Sequence, residues 1–455
     1  MTLPAERRAP VGGVVPADNS GVRDRLVQRI RDRTARIGIV GLGYVGLPTA
    51  VAYAEAGFTV VGVDTDANRC AAVTRGDSYI EDVIAADLRR AREKDRLTAV
   101  TSLATAGDLD VIDICVHTPL GETREPDISA IRAAAEALVP GQRPGQLVVL
   151  TSTSYPGTTE EVLRPILERS GLVIGRDVFV AFAPERIDPG NTRFTLRTTP
   201  KIVGGVDPTS TEIACLALAT IVDTVVPVSD ATTAEMVKVL ENTFRMVNIG
   251  FANEVAMICR RLGVDVWEVI ESAATKPYGF MPFYPGPGVG GHCIPVDPSY
   301  LQWKMRNLEY RTRFIDLGDD VNRGMPDYVV QRATDVLNDA GKSLRGSRIL
   351  LIGVAYKPNI GDVRESPALH VAAKLRSKGA EVRYVDPHVD SLVLHHGGRL
   401  SRADLSPTEL GASDLVVITT QHDDIDWGMV RQHAALVLDT RGVRGGRGRA
   451  GWHTL

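Results

Sequence analysis

One of the five cysteines lies in a setting that suits covalent chemistry. Cys293 ends the segment PFYPGPGVGGHC, whose glycines are Gly286, Gly288, Gly290 and Gly291. Glycine-rich backbone leaves N–H groups available to hold an anion and gives access to a neighbouring sulfur atom. The other cysteines lie in apolar or helical patterns typical of inert buried thiols: Cys70, Cys115, Cys215 and Cys259. The sequence therefore predicts that Cys293 is a reactive thiol.

Three polar side chains are candidates to act beside this thiol. Asp297 follows Cys293 by four positions and can reach the same locality. Lys238 and Asn242 are at positions i and i+4 of a predicted helix, so they share one face. A lysine and an asparagine on one helical face are by themselves most often solvated surface, and their spacing alone leaves both interpretations open.

A second motif predicts a dinucleotide site near the start of the chain. Gly41, Gly43 and Gly46 form GxGxxG after the apolar strand ARIGIV and before the helix LPTAVAYAEAG. In this context Gly41 permits a tight turn, Gly43 lets the backbone approach a pyrophosphate, and Gly46 allows the helix to pack closely on the strand. A glycine turn needed only for packing is the alternative.

The acidic residue that such a site requires follows at the end of the next strand. Asp64 stands eighteen residues after Gly46, where a carboxylate can accept hydrogen bonds from the adenosine ribose. A negative charge there would repel a 2′-phosphate, so NAD is favoured over NADP as the cofactor. Arg69, five residues further on, leaves NADP open, because an arginine near the ribose could accept that phosphate.

Composition excludes several classes of protein. The 455 residues carry 52 Lys and Arg against 56 Asp and Glu, which argues against a nucleic-acid partner because phosphate binding needs a basic face. No apolar run reaches the roughly 20 residues that span a bilayer, so no membrane partner is expected. An odd number of cysteines without a CxxC pair suggests neither a disulfide framework nor a metal site, and predicts a cytoplasmic location.

From Thr34 onward, short apolar strands alternate with helical stretches, which predicts parallel sheets covered by helices. We predict an α/β fold with two Rossmann-like, doubly wound parallel-sheet domains joined by a central helical segment with one long helix. The expected divisions are a flexible extension over 1–33, a dinucleotide-binding domain over 34–230, a helical domain over 231–330, a second Rossmann-like domain over 331–441 and a flexible tail over 442–455.

The long central helix carries apolar residues at helical spacing, namely Met236, Leu240, Val247, Val255 and Ile258. This stripe is either protein core or a subunit interface, and the sequence leaves both open. A homodimer or higher homo-oligomer formed through this helix is the expected assembly.

Four separated motifs together resemble one enzyme family. GLGYVGLP, AEMVKxxENTFR, GPGVGGHCIPVDP and VAYKPNIGDVRESPA occur in the order found in the nucleotide-sugar 6-dehydrogenases, which act on UDP-glucose, GDP-mannose and UDP-N-acetylhexosamines. The resemblance runs from about Arg36 to Arg441. It implies an NAD-dependent four-electron oxidation, in which the C6 alcohol of a nucleotide sugar becomes a carboxylate through two hydride transfers.

The resemblance also implies roles for individual residues. Lys238 and Asn242 match the pair that balances alkoxide charge, and Cys293 matches the nucleophile that traps the C6 aldehyde as a thiohemiacetal and then forms a thioester. Asp297 matches the carboxylate that assists proton transfer and water activation. Glu185, in FAPERIDPGN, matches the first glutamate of the motif for thioester hydrolysis.

Cofactor and substrate positions carry over in the same way. Positions matching NAD contacts are Val45, Thr118, Thr153 and Arg364, although Thr118 and Thr153 could equally be ordinary strand-end caps. Arg364 matches an arginine that reaches the cofactor across the domain cleft. Positions matching the surroundings of the UDP-sugar are Phe283, Tyr284, the glycines through Gly291, and Lys357 on the UDP side.

Departures from the family pattern bear on the substrate. Where UDP-glucose enzymes often read PEFLxEG, this chain reads PERIDPGN, so Pro189 replaces the second glutamate. After Cys293 it reads IPVD, without the lysine that those enzymes carry before the aspartate. Both departures resemble the branch acting on UDP-N-acetylglucosamine in surface polysaccharide synthesis. UDP-N-acetylmannosamine and UDP-glucose are the alternative substrates, and a catalytically inactive sensor of nucleotide sugar is a remote alternative.

Overall fold

A computed structural model describes residues 20–80, 83–121, 123–188, 191, 193–291, 293–394 and 398–455. Within these ranges the chain forms two compact units. The first contains the described residues up to Thr118, together with Ile128–Ser152 and Gly157–Glu235. The second contains Pro119–Asp127, Thr153–Pro156 and Met236–Leu455.

The first unit is built on an eight-stranded sheet in the order β3-β2-β1-β4-β5-β6-β7-β8, parallel except between β6 and β7. Its strands are β1 (Arg36–Val40), β2 (Thr59–Val63), β3 (Leu97–Val100), β4 (Val111–Ile114), β5 (Gln146–Leu150), β6 (Val178–Phe182), β7 (Lys201–Gly205) and β8 (Val225–Pro227). Its helices are α1 (Ser20–Arg31), α2 (Gly46–Glu55), α3 (Ala67–Arg75), α4 (Ala85–Glu93), α5 (Ser129–Leu138), α6 (Arg164–Leu167) and α7 (Pro208–Leu218). The central strands are buried along their length, because helices cover both faces of a parallel sheet.

The second unit contains a seven-stranded sheet in the order β11-β12-β10-β9-β13-β14-β15, parallel except between β11 and β12. Its strands are β9 (Arg348–Ile352), β10 (Glu381–Val385), β11 (Leu392–Val393), β12 (Arg399–Arg402), β13 (Leu415–Ile418), β14 (Val437–Asp439) and β15 (Trp452–Thr454). The remaining helices are α8 (Ala231–Leu262), α9 (Val266–Ala273), α10 (Asp297–Asn307), α11 (Arg313–Asp339), α12 (Pro367–Ser377), α13 (Pro407–Ala412) and α14 (Trp427–His433). The predicted fold class of two parallel-sheet α/β units with one long helix is confirmed.

The expectation of a flexible extension over 1–33 is wrong for its described part. Residues 20–31 form α1, whose Leu26 and Ile30 are buried in the core of the first unit. Val22, Leu26 and Ile30 recur every four positions among charged residues, which gives the helix a single apolar face. Residues 1–19 lie outside the described residues.

The expectation of a flexible tail over 442–455 is also wrong. β15 pairs in parallel with β14, and the indole Nε1 of buried Trp452 donates a hydrogen bond to Asp439 Oδ2 at 3.2 Å. The glycine- and arginine-rich composition suggested solvent exposure, but the last residues complete a sheet edge. The predicted boundary at residue 330 falls inside α11, and α8 begins in the first unit and continues into the second at Met236.

Candidate active site

The glycine turn of the first unit has the geometry that a dinucleotide requires. Gly41 has φ +94°, and a Cβ there would lie 2.5 Å from the carbonyl oxygen of Cys115. A Cβ on Gly46 would lie 1.8 Å from the carbonyl oxygen of Gly41, so the turn and α2 pack without room for a side chain. At Gly43 no described heavy atom lies within 4 Å of that position, which leaves its backbone open to a pyrophosphate. Val45 immediately precedes α2.

The carboxylate of Asp64 is held against this turn. Asp64 Oδ2 accepts the N–H of Leu42 at 2.8 Å, and Oδ1 accepts the N–H of Asp66 at 2.9 Å. The half-exposed Arg69 guanidinium lies 3.3 Å from Asp64 Oδ2, so its charge is paired with that carboxylate. Tyr79, which sequence reasoning missed, donates its hydroxyl to the carbonyl of Leu42 at 2.7 Å. An open glycine turn and an adjacent carboxylate fit NAD.

The two threonines predicted to touch the cofactor follow neighbouring strands. Thr118 lies beyond β4 and is buried, whereas Thr153 lies beyond β5 and is half-buried. Their contacts with NAD, and those of Arg364, remain predictions. In the second unit the guanidinium of Arg364 pairs with Asp362 at 2.6 Å.

Lys238, Asn242 and Asp297 come together in the second unit. The Asn242 amide donates to Asp297 Oδ2 at 2.5 Å, and both Lys238 and Asp297 are buried. Burial raises the pKa of Asp297 to about 6, although the Lys238 charge and the Asn242 hydrogen bond act in the opposite direction. The shared helical face predicted from spacing therefore belongs to a buried polar cluster rather than to solvated surface.

Cys293 and Asp297 belong to a single turn of backbone. The carbonyl of Cys293 accepts the N–H of Val296 at 3.2 Å and that of Asp297 at 2.8 Å, immediately before α10 begins. Cys293 is exposed, whereas Cys70, Cys115 and Cys259 are buried and Cys215 is half-buried. The turn thus fixes an accessible thiol relative to a buried carboxylate.

A chain of buried amides, which sequence reasoning missed, fixes the start of the glycine loop. The N–H of Gly286 donates to Asn253 Oδ1 at 2.9 Å, and Asn253 Nδ2 donates to Asn322 Oδ1 at 2.9 Å. Asn322 Nδ2 in turn donates to the carbonyl of Met246 at 2.9 Å. Hydrogen bonds from side chains of both α8 and α11 therefore hold this loop in place. A polar residue on an otherwise apolar helical face was the signal available in the sequence.

The end of the same loop packs against the segment that carries Arg364. Gly291 has φ +86°, and its N–H donates to the carbonyl of Arg364 at 3.1 Å. A Cβ on Gly290 would lie 2.7 Å from the carbonyl oxygen of Glu365, and one on Gly288 would lie 3.1 Å from that of Asn322. These glycines are thus required by close backbone approach, which limits replacement of the loop by larger residues.

Arg441 is a further residue beside the loop that the sequence did not single out. Its Nη1 lies 2.6 Å from the position a Cβ would take on Gly286, and its Nε donates to the carbonyl of Thr419 at 2.7 Å. Burial lowers the pKa of Arg441 to about 10, against the opposing charge of Asp439. It remains a cation at neutral pH and is suited to an anionic ligand.

Aromatic contacts attach the loop to neighbouring helices. Phe283 meets Phe244 of α8 edge to face with ring centroids 5.6 Å apart, and Tyr284 stacks on Trp267 of α9 at 5.8 Å. Lys357 lies in a different loop of the second unit, five residues after β9. Its contact with the UDP moiety remains a prediction.

Glu185 lies in the first unit, just beyond β6. Lys201 Nζ donates to Glu185 Oε2 at 2.9 Å, while Oε1 accepts the N–H groups of Arg186 and Ile187. Burial alone would raise the pKa of this carboxyl, but Lys201 and the two N–H groups hold it below its ordinary value. Glu185 is therefore an ionised carboxylate at neutral pH. Pro189, in the same motif, lies outside the described residues.

Glu235, in the first turns of α8, is another residue that the sequence analysis passed over. Its carboxylate accepts the N–H of Gly157 at 2.5 Å and both the N–H and the hydroxyl of Thr159, at 2.8 and 2.7 Å. Burial raises the pKa of Glu235 to about 7. It stands three residues before Lys238, inside the motif AEMVK, so the beginning of the helix that carries Lys238 is anchored by these bonds.

Among the residues described, no group of three or more His, Cys, Asp or Glu side chains is arranged to hold a metal ion. No helix in the described ranges is long and apolar enough to cross a membrane.

An open glycine turn with a carboxylate beside it is the arrangement that binds NAD in dinucleotide-binding domains. Three models of the UDP-glucose/GDP-mannose dehydrogenase family match in succession, the NAD-binding domain at residues 35–221, the central domain at 232–324 and the UDP-binding domain at 350–445. The chain belongs to this family and is an NAD-dependent UDP-sugar dehydrogenase. The resemblance inferred from the motifs is confirmed.

Relatives named for two different substrates match over most of their length. A UDP-N-acetyl-D-mannosamine dehydrogenase of Methanococcus maripaludis is 34% identical over 90% of this chain and 93% of the relative. A UDP-N-acetyl-D-glucosamine 6-dehydrogenase of Pseudomonas aeruginosa is 34% identical over 86% of this chain and 91% of the relative. The solved UDP-D-ManNAc dehydrogenase of Pyrococcus horikoshii has a TM-score of 0.84 at 32% identity, covering 92% of this chain and 98% of that one.

Proposed function

We propose that this enzyme converts the C6 hydroxyl of UDP-N-acetylglucosamine into a carboxylate, for use in surface polysaccharide synthesis. One alcohol, one water and two NAD give one carboxylate, two NADH and three protons. The observation that carries the reaction is the cluster of buried Lys238, half-buried Asn242 and buried Asp297, one turn from an exposed thiol. NAD, when bound at the glycine turn, accepts the hydride in each oxidation.

The first oxidation requires a place for a proton and for negative charge. Asp297, with a pKa near 6, is ionised at neutral pH and accepts the proton that the alcohol loses. The Lys238 ammonium and the Asn242 amide stabilise the charge that develops on the C6 oxygen. Because Lys238 and Asp297 are both buried, this stabilisation acts in a medium that screens charge less than water does.

The second oxidation uses the thiol. The sulfur of Cys293 adds to the C6 aldehyde to give a thiohemiacetal, and loss of the second hydride converts this adduct into a thioester. Water then attacks the thioester carbonyl, which releases the carboxylate and returns the thiol. The resemblance of its motif assigns Glu185 to thioester hydrolysis, and pairing with Lys201 keeps this carboxylate ionised.

UDP-N-acetylmannosamine is the second candidate substrate. The PERIDPGN and IPVD motifs support the N-acetylglucosamine branch by resemblance, whereas relatives with both names reach the same 34% identity. The two relatives are named for acetamido sugars that are epimers at C2, so the choice between these two substrates rests on the motifs.

A substrate panel tests the proposal. The purified enzyme is supplied with NAD and, in separate reactions, UDP-N-acetylglucosamine, UDP-N-acetylmannosamine and UDP-glucose, while NADH is counted and the sugar product is weighed by mass spectrometry. We expect two NADH per UDP-N-acetylglucosamine and no free aldehyde. One NADH per sugar would contradict the covalent mechanism, and a strong preference for another sugar would contradict only the substrate assignment.

We also propose that the enzyme is a homodimer or higher homo-oligomer formed through α8. Large apolar side chains repeat along one exposed side of this helix, with exposed fractions between 47% and 71% at Leu240, Phe244, Phe251, Ile258 and Leu262. An exposed apolar stripe of this length is typical of a subunit interface. Phe251→Asp should shift the protein toward monomer in sedimentation, with exposed Val393→Asp, outside α8, as the matched control.

We place the enzyme in the cytoplasm, in keeping with five cysteines that form no disulfide.

A further inference from the structure

A buried carboxylate and imidazole lie where three strands of the second unit end. β10, β9 and β13 are adjacent and parallel, so their carboxyl ends meet at one edge of the sheet. Asp386 follows β10 and is 1% exposed, and His422, beyond β13, is 0% exposed. His422 Nε2 lies 3.0 Å from Asp386 Oδ2.

The partners of His422 determine which ring nitrogen accepts a hydrogen bond and which donates one. Its Nδ1 accepts the backbone N–H of Asn359 at 3.0 Å, so this nitrogen carries no proton. Nε2 faces a carboxylate oxygen and therefore carries the N–H that donates to it. The imidazole therefore uses one ring nitrogen as an acceptor and the other as a donor.

These bonds fix both ends of one short loop. Asp386 Oδ2 accepts the N–H groups of Val354 and Ala355 at 2.6 and 3.1 Å, which fixes the start of the loop. His422 holds the N–H of Asn359, and Asn359 Nδ2 donates to Asp423 Oδ2 at 2.7 Å, which fixes its end. Lys357 stands between the two fixed ends.

We propose that His422 is a positioning residue for the UDP-sugar, acting by holding the loop 354–359 so that Lys357 meets the diphosphate. This inference rests on the proposed function and on the prediction, made from the family resemblance, that Lys357 faces the UDP side. A loop that is fixed before the ligand arrives loses little conformational entropy on binding, so removing one anchor weakens binding even though no ligand contact is deleted. Such a residue affects affinity for the UDP-sugar and leaves the chemical step and the NAD site unchanged.

Two substitutions each remove one half of the imidazole's function. His422→Asn retains an acceptor near the position of Nδ1 and loses the donor to Asp386, whereas His422→Gln retains a donor near Nε2 and loses the acceptor for Asn359. We expect His422→Gln to raise the KM for the UDP-sugar by about tenfold, with the KM for NAD unchanged and kcat within about twofold. His422→Asn should act in the same direction. His433→Gln, in the last turn of α14, is the matched control and should change none of these.

A double-mutant cycle separates positioning from general destabilisation. Lys357→Met should weaken binding of UDP, measured by calorimetry, and adding His422→Gln should weaken it little further, because the positioned ammonium is already gone. If the loss of UDP affinity in the double variant equals the product of the losses in Lys357→Met and His422→Gln, the inference is overturned. It is also overturned if both single variants keep the parent KM for the UDP-sugar and melt near the parent temperature. If the parent enzyme neither binds UDP nor oxidises a UDP-sugar, the proposed function itself fails.

Discussion

The two α/β units contain the same turn and use it differently. In each unit a glycine with positive φ follows the first of two paired strands, Gly41 at +94° and Gly353 at +78°. A carboxylate follows the second strand and accepts the N–H of the residue after that glycine, Asp64 from Leu42 and Asp386 from Val354. The backbone frame is therefore repeated within one chain.

The difference lies in what covers the carboxylate. Asp64 is paired with a half-exposed arginine, and the turn beside it contains Gly43, whose backbone is open. Asp386 is covered by the fully buried His422, and Ala355 takes the place that Gly43 has in the first unit. The first frame is built to receive a dinucleotide, and the second is closed by its own side chains. The same backbone turn can therefore be open to a dinucleotide or closed by side chains, depending on a few residues at the turn.

We expect the largest effect from replacing Cys293, which should affect the chemistry assigned to the second unit and leave NAD binding to the first unit unchanged. Cys293→Ser should lower turnover by at least about a thousandfold, because an alcohol is a poorer trap for the aldehyde and its ester is less labile than a thioester. NAD binding, which we assign to the first unit, should be unchanged in equilibrium titration. Steady-state activity near the parent value would rule out the covalent mechanism.

Lys238 provides the next largest effect. Lys238→Met removes the charge and keeps the length of the side chain, and should lower kcat by about 100-fold to 1,000-fold because the developing alkoxide loses its partner. The exposed Lys276→Met is the matched control. A rise in the KM for the UDP-sugar with kcat unchanged would make Lys238 a binding residue instead.

Substitution of Asp64 and of Asp386, the corresponding carboxylates of the two turns, tests the comparison directly. Asp64→Ala should weaken NAD binding by about 10-fold to 100-fold and reduce discrimination against NADP, since the ribose acceptor and its charge both disappear. Asp386→Ala should leave NAD affinity unchanged but lower the free energy of unfolding by about 1–3 kcal/mol, because buried donors lose their acceptor. If both substitutions weakened NAD binding equally, the turn at Asp386 would also contribute to NAD binding and would not be closed by its own side chains.

The carboxyls of the two units also differ in pKa, with Asp297 raised to about 6 and Glu185 lowered. A base must be ionised to act, so kcat/KM should fall about tenfold per pH unit below pH 6 as Asp297 becomes protonated. The residual kcat/KM of Asp297→Asn should not show this fall below pH 6. If Glu235→Gln abolished the fall and Asp297→Asn did not, the titrating group would be the Glu235 carboxyl at the start of α8.

Local motifs were sufficient to predict part of the site. The glycine turn and the Cys293 to Asp297 turn are each contained in a short stretch whose spacing reflects one turn of backbone, and Asp64 stands at the end of the strand that follows the glycine turn and α2. Asn253, Asn322 and His422 could not be found in this way, because each acts through a partner 33 or more residues away and only the fold brings the pair together. α1 was missed for a different reason, since arginines and aspartates mask its narrow apolar face.

The uneven exposure of the cysteines has a practical consequence for handling the enzyme. All five are among the described residues, and Cys293 is the exposed one. A limiting amount of iodoacetamide should therefore alkylate this thiol first, and the label should appear in the peptide that contains it. Air or peroxide should inactivate the stored protein through the same atom, converting it first to a sulfenic acid that a reductant can reverse. The exposure that suits Cys293 to the proposed attack on an aldehyde therefore also leaves it open to oxidants.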